Sequence, residues 1–307
     1  MKREFQYYFL DEIFNDATKF IEFFVSNKLF RSDGLLSAAN WGTNNYIFRG
    51  QAEADLPLQP KLFRNGGRDV AKYVSFPFST DFNISKNNGI RLASFLRDEI
   101  NALISFLESA DRVGINTPLP LTRLKEHYEV FNSILDDKYD FSLYYPEKYL
   151  EDAIALAQHH GVPTRFLDFT ESPLIAAYFA AYNSLDKNGN DYLVIYILND
   201  HNSLQNKLQI IQPTRNGNPN MLAQRGLFVN IPFANNYFIE NGEFPTIENI
   251  IELHKMSDVL GRVRLVRHQS TKILQLLYDF GIYENSMMPS LDNSAKSIQY
   301  LRKIFDE

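Results

Sequence analysis

Cysteine does not occur in the sequence, so no disulfide, no thiolate-held zinc and no thiol nucleophile can take part in its fold or its chemistry. A reducing, cytoplasmic setting is therefore expected. Long apolar runs are missing as well. Charged Lys2, Arg3, Glu4, Asp11 and Glu12 interrupt the beginning, and no stretch reaches the length of a signal peptide or a membrane span, so no membrane partner is expected. Positive charge is not in surplus: 31 Lys and Arg stand against 37 Asp and Glu, a net charge of −6, which argues against a whole-molecule grip on a nucleic-acid backbone. There is no repeat at solenoid spacing and no low-complexity tract. Gly66-Gly67 lacks the Lys-Ser/Thr of a phosphate loop, and no dinucleotide-binding glycine fingerprint follows any strand-like run.

What is present is apolar surface. Apolar residues make up 45% and aromatic ones 14% of the 307 residues, enough to offset chain entropy. Leu10, Ile13, Phe14, Ala17, Ile21, Phe24 and Val25 recur at helical steps and predict an opening helix of about twenty residues. Asn44 to Gly50 reads as a strand, and Gln51 to Gly67 as a loop. Helices are predicted over Arg91–Ser109, Glu147–His160 with Pro146 at its first turn and Gly161 as its stop, Leu174–Tyr182 behind a Ser172 cap, Ser270–Leu277 closed by Gly281, and Asp292–Phe305. Leu174–Tyr182 is apolar nearly all round and is expected to be buried. Thr164–Thr170 is extended, Tyr192–Leu198 has the continuous apolar character of a central strand, and Leu227–Ile231 is a further strand. The expected class is α+β, a central mixed sheet flanked by helices. The expected organisation is an N-terminal helical segment over 1–43, a core with the sheet over 44–240, and a strand and helices over 241–307. Arg262 and Arg264 share a strand face near Arg267 and read as a solvated basic patch.

Chemistry-bearing residues concentrate between Gln158 and Pro173. His159 and His160 end a helix, where unpaired carbonyls favour imidazolium, and His160 is a candidate general acid or base. Neighbours on a helix diverge by about a hundred degrees, so the two histidines make a poor metal pair and no metal is expected. Alternation sets Thr164, Phe166, Asp168 and Thr170 on one face and Arg165, Leu167 and Phe169 on the other. Asp168 is either functional or tied into a salt bridge or cap. Arg49, at a strand end before Gly50, can grip a phosphate or carboxylate bidentately, with a partner such as Asp168 as its structural role. Gly50 would let backbone approach a ligand.

The motifs Phe48-Arg49-Gly50-Gln51, Pro60-Lys61-Leu62-Phe63-Arg64, the block from Gln158 to Ala180, Ala223-Gln224-Arg225-Gly226-Leu227-Phe228 and Met288-Pro289-Ser290-Leu291-Asp292 together resemble the FRG-domain family. Their order is similar to that of the ADP-ribosyltransferase fold. The resemblance implies NAD as substrate; with the residue readings above, the candidate ligand-binding set is Arg49, Gly50, Gln51, Arg165, Thr170 and Ser172, and the candidate catalytic set is Asp168, Gln224 and His160. Arg49 would hold an NAD phosphate, Thr170 and Ser172 would stand for a serine–threonine element, and Gln224 would open the last strand. Gly226 stands where a catalytic glutamate is expected, so that either Asp168 or Glu171 replaces it or the chemistry is lost. Cleaving the nicotinamide glycosidic bond builds oxocarbenium character that a carboxylate stabilises. The implied setting is bacterial or phage conflict, as an antiphage effector or toxin acting on a protein or nucleic-acid acceptor. Two rivals stand beside it. One is a non-catalytic module binding an anionic small molecule, nucleotide, nucleic acid or protein, and the other is a nuclease-like effector using His160. Membership of a fold family assigns no reaction by itself.

Overall fold

The computed structural model describes residues 6–26, 46–75, 77, 87–123, 146, 148–185, 191–199, 207–215 and 218–305. Among the described residues seven strands form one mixed sheet: β1 (Tyr8–Phe14), β2 (Tyr46–Gln51), β3 (Leu167–Thr170), β4 (Tyr192–Asn199), β5 (Gln209–Ile211), β6 (Gly226–Asn230) and β7 (Leu260–Val266), in the order β1-β7-β4-β2-β3-β6-β5. The edge pair β1–β7 is parallel and the other pairs are antiparallel. The α+β class is thus the class of the molecule. No helix among the described residues is long and apolar enough to cross a membrane.

The helices are α1 (Ala17–Ser26), α2 (Asn88–Arg112), α3 (Glu151–His159), α4 (Pro173–Tyr182), α5 (Pro219–Ala223), α6 (Ala234–Asn241), α7 (Ile247–His254), α8 (Ser270–Asp279), α9 (Glu284–Met287) and α10 (Leu291–Phe305). They cover both faces of the sheet. Strand β4 explains why its sequence is apolar without alternation: Leu193, Ile195 and Ile197 join the core under α1, α4, α8 and α10, whereas Val194, Tyr196 and Leu198 join the core under α2, α3, α6 and α7. Each such side chain, fully withdrawn from water, favours folding by about 1.5–3 kcal/mol.

Several expectations change. The opening helix is shorter than predicted, because Tyr8–Phe14 is a strand and Asp16 starts the helix by accepting from the Lys19 N–H at 2.9 Å. What draws Tyr8–Phe14 into the sheet is β7: Asp11 lies opposite Arg262, receives its fork at 3.0 and 2.8 Å, and also receives Arg264 at 2.8 Å. Arg262 and Arg264 are therefore engaged with Asp11 and are not a free solvated patch, and exposed Asp191 lies 3.4 Å from buried Arg267. Lys61–Tyr73 is a 3-10 helix inside and beyond the expected loop. The helix expected from Glu147 begins as a 3-10 turn, Lys148–Leu150, before α3; Glu147 itself, and the first residues of the strand expected from Asn44, lie outside the described residues. Ser270 is the first residue of α8, and its hydroxyl donates back to the Arg267 carbonyl at 2.6 Å, so the cap position falls to Gln269. Ser172 does cap α4, accepting from the Ile175 N–H, with Pro173 behind it, and Gly161 and Gly281 take left-handed φ of 90° and 74° after their helices.

Candidate functional site

Strands β2 and β3 meet at a single register pair, Phe48 with Thr170, and then part. Opposite edges of the same two strands remain fully paired, β2 with β4 and β3 with β6. The divergence opens a cleft of about 350 Å³, within the range of small-molecule sites. Three consecutive residues from each of β2, β3 and β6 border it: Phe48-Arg49-Gly50, Asp168-Phe169-Thr170 and Gly226-Leu227-Phe228. Successive strand residues point to opposite faces, so a cavity touching all three of each run lies in the split of the sheet. Gln158 and His159 of α3 close it on one side, and Ala176 and Phe179 of α4 on the other.

Arg49 spans the split. Its Nη1 donates to the Asp168 carbonyl at 2.8 Å, which in a continuous sheet would accept from the backbone of β2, and lies 3.6 Å from the Asp168 carboxylate. Its Nε donates to Gln51 Oε1 at 3.1 Å, while Nη2 has no hydrogen-bond partner among the described residues. Burial lowers the Arg49 pKa from the ordinary arginine value and Arg64 pushes the same way, against the attraction of Asp168; a guanidinium nonetheless keeps its proton. Asp168 is 65% exposed at its side chain. Gln158 Nε2 donates to its Oδ1 at 2.6 Å, and Gln158 is held in turn by the Thr164 hydroxyl. The carboxylate is thus presented to the cleft in a fixed orientation.

Of the residues expected to serve the site, Arg49, Gly50, Asp168, Thr170 and Gln224 line the cleft. Gly50 is needed for packing: a Cβ there would lie 1.9 Å from the Ala176 carbonyl oxygen, so it lets α4 settle on β2. The Thr170 hydroxyl is used internally, donating to the Gln224 carbonyl at 2.8 Å and accepting from the Ser172 N–H at 3.1 Å. Ser172 serves the α4 cap and Gln51 holds Arg49 and the Leu56 carbonyl, and neither borders the cleft. Arg165 is far from the expected ligand role. It is fully buried and clasps Glu99 of α2 with bonds of 2.7 and 2.6 Å, because a buried guanidinium needs a paired carboxylate. His160 stacks on Phe106 and does not line the cleft; His159 does.

His159 also departs from the imidazolium expectation. Burial, then His160, lower its pKa, with Asp168 opposing. Asn220 Nδ2 donates to His159 Nε2 at 3.1 Å, which makes Nε2 the acceptor and leaves the ring proton on Nδ1. Desolvation wins here over the partial charge of the helix end. Glu171 is held outside the cleft by Arg215 at 2.7 Å. At Gly226 a Cβ would meet Met221 Sδ at 2.4 Å, so Met221 occupies the space a side chain at that position would need. Sequence reasoning missed Gln158, His159, Phe179, Asn183, Met221 and Met288 as lining residues. Gln158 and His159 stood in the quoted block, but only the rotation of α3 selects them over His160.

The fold and the cleft together define an α+β protein whose split central sheet holds a ligand-sized site with one arginine and one presented carboxylate. Residues 44–189 match the family model of the FRG domain; the chain carries an FRG domain. Comparison with curated proteins and with solved structures returned no match. Arg49, Gln158, His159, Asp168 and α4 fall inside the matched span, whereas Met221, Gln224, Gly226–Phe228 and Met288 complete the cleft from beyond it.

Proposed function

We propose that the cleft binds a phosphate-bearing nucleotide through Arg49, and that the nucleotide is NAD, cleaved at its nicotinamide glycosidic bond with Asp168 as the assisting carboxylate. The observation that carries this reading is the Arg49 guanidinium bordering an open cleft with Nη2 unengaged and with Nη1 3.6 Å from an exposed carboxylate. With Nε and Nη1 engaged, Nη2 is the edge of the guanidinium left to meet a phosphate oxygen. Aromatic Phe48, Phe169, Phe179 and Phe228 in the lining suit a flat ring. In the reaction the bond from ribose C1′ to the pyridinium nitrogen breaks and its electron pair leaves with neutral nicotinamide. The cationic ribose is stabilised by the Asp168 carboxylate, and water or an acceptor nucleophile on a protein or nucleic acid bonds to C1′ and gives up its proton. An effector in bacterial or phage conflict is the setting that fits such chemistry.

The test is NAD consumption by purified protein. Wild type is expected to release nicotinamide, Arg49→Ala to lose affinity and turnover together, and Asp168→Asn to lose turnover by about 10²-fold or more while still binding. A second reading, a binding module without turnover, is favoured by Met221 filling the space beside Gly226. Its outcome is ligand-induced stabilisation that survives Asp168→Asn, is lost in Arg49→Ala, and comes with no nicotinamide release. The nuclease reading draws no support from the position of His160 against Phe106.

A further inference from the structure

The end of the cleft away from Arg49 has its own chemistry. Ala176, Phe179 and Asn183 lie three, four and seven residues apart on one face of α4 and its C-cap, and all border the cleft. Gly50, next to Arg49, packs against the Ala176 carbonyl and the Ala180 nitrogen of α4. Asn183 lies three residues past Ala180 and seven past Ala176, about 5–10 Å along α4 from Gly50 at helical rise. Met221, Gln224 and Met288 border the same cleft from the other side.

We infer that this end reads the hydrogen-bonding edge of an amino-bearing heterocycle through Asn183 and Gln224, with Phe179, Met221 and Met288 as apolar walls. The inference rests on the nucleotide reading of the cleft and names which part of the ligand lies where. Gln224 is held at both ends: its carbonyl accepts from Thr170 Oγ1 at 2.8 Å and its Nε2 donates to the Met287 carbonyl at 3.1 Å. The side-chain Oε1 is then its remaining acceptor, in a fixed place, and a fixed acceptor selects a ligand that brings an N–H. Asn183 closes α4 with its backbone N–H, donated to the Phe179 carbonyl at 3.2 Å. Its exposed carboxamide has no hydrogen bond among the described residues, and offers both donor and acceptor. Thioethers and an aromatic ring bind a flat π-system without demanding one particular base. A phosphate at Arg49 and a base at Asn183 are joined in a nucleotide by its ribose, which matches a cleft extended along α4.

The probes are AMP, nicotinamide mononucleotide and ribose 5-phosphate, which share a 5′-phosphate and differ in the base, titrated against the full chain by calorimetry. The nucleotide whose ring takes the site is expected to bind about tenfold or more tighter than ribose 5-phosphate. Asn183→Ala and Gln224→Leu are expected to remove most of that gain while leaving ribose 5-phosphate affinity as in wild type, which also reports that each variant is folded. Arg49→Ala is expected to weaken all three probes. Equal binding of nucleotides and ribose 5-phosphate, or equal losses for all three probes in Asn183→Ala and Gln224→Leu, would overturn the inference and leave the phosphate anchor standing. No binding of any probe to wild type would remove the nucleotide reading with it.

Discussion

Gly50 and Gly226 both border the cleft, and the atoms they make room for differ in how easily they move. At Gly50 the obstacle to a Cβ is backbone, the Ala176 carbonyl at 1.9 Å and the Ala180 nitrogen at 2.9 Å. Gly50→Ala must lift α4 off β2 and is expected to destabilise by about 3 kcal/mol or more, read by urea unfolding; a loss under about 1 kcal/mol would contradict this packing. At Gly226 the obstacle is the flexible end of Met221 at 2.4 Å. Gly226→Ala is therefore expected to cost less, about 1–3 kcal/mol, and to act mainly by pushing Met221 into the cleft, which should weaken nucleotide binding more than stability.

Between elements, a buried bidentate pair ties Glu99 of α2 to Arg165 just before β3. Both side chains are nearly or fully out of water, at 5% and 0% exposure, and Phe63 lies 5.8 Å below the guanidinium. Glu99→Ala removes the bidentate carboxylate partner of a buried cation and is expected to cost about 3–5 kcal/mol. The double change Glu99→Leu with Arg165→Met should recover much of that loss, since a buried pair has little net advantage over apolar packing of similar volume. Equilibrium unfolding of both variants checks the pair, and equal losses would show that the ion pair itself matters. Arg165 is adjacent in sequence to the cleft-forming β3, yet it belongs to the core. The spacing of Arg165 and Asp168 told of opposite faces, but which face met solvent depended on α2, whose Glu99 lies 66 residues away.

At the scale of the whole molecule, acid should weaken the fold in two stages. His159 has a pKa below its ordinary 6.5, because burial and then His160 disfavour its charge. The unfolded chain therefore takes up that proton first, and stability falls as pH drops below about 6.5 toward the folded value. Asp11 keeps a pKa below its ordinary 3.8: burial works against the carboxylate, but the hydrogen bond and charge of Arg262 and the charge of Arg264 outweigh it. Its stabilisation is present above 3.8 and is lost as pH falls through the lower folded value. Glu248 runs the other way, since burial raises its pKa above 4.5, so its contribution favours the fold at acid pH and fades as pH rises through that raised value. Thermal melts from pH 8 to pH 3, chosen to bracket these values, are expected to lose the upper stage in His159→Gln and the lower one in Asp11→Asn. A melting temperature that falls identically in both variants and wild type would contradict the assignment.

The sequence by itself determined the elements whose information is local. The apolar run of β4, the Ser172-Pro173 start of α4, the left-handed stops at Gly161 and Gly281 and the Phe-Arg-Gly signature each depend on residues within a turn or a strand length. Tertiary structure alone decided that Tyr8–Phe14 extends along β7, because Leu10, Ile13, Phe14 and Ala17 satisfy helical spacing equally well and the deciding partner, Arg262, is 251 residues away. It also decided that His159 faces the cleft and His160 faces Phe106, that Arg165 is core, and that β2 and β3 separate after one pair. Periodicity says which residues share a face; which face is buried, and what meets it there, is set by desolvation and pairing with segments distant in the chain.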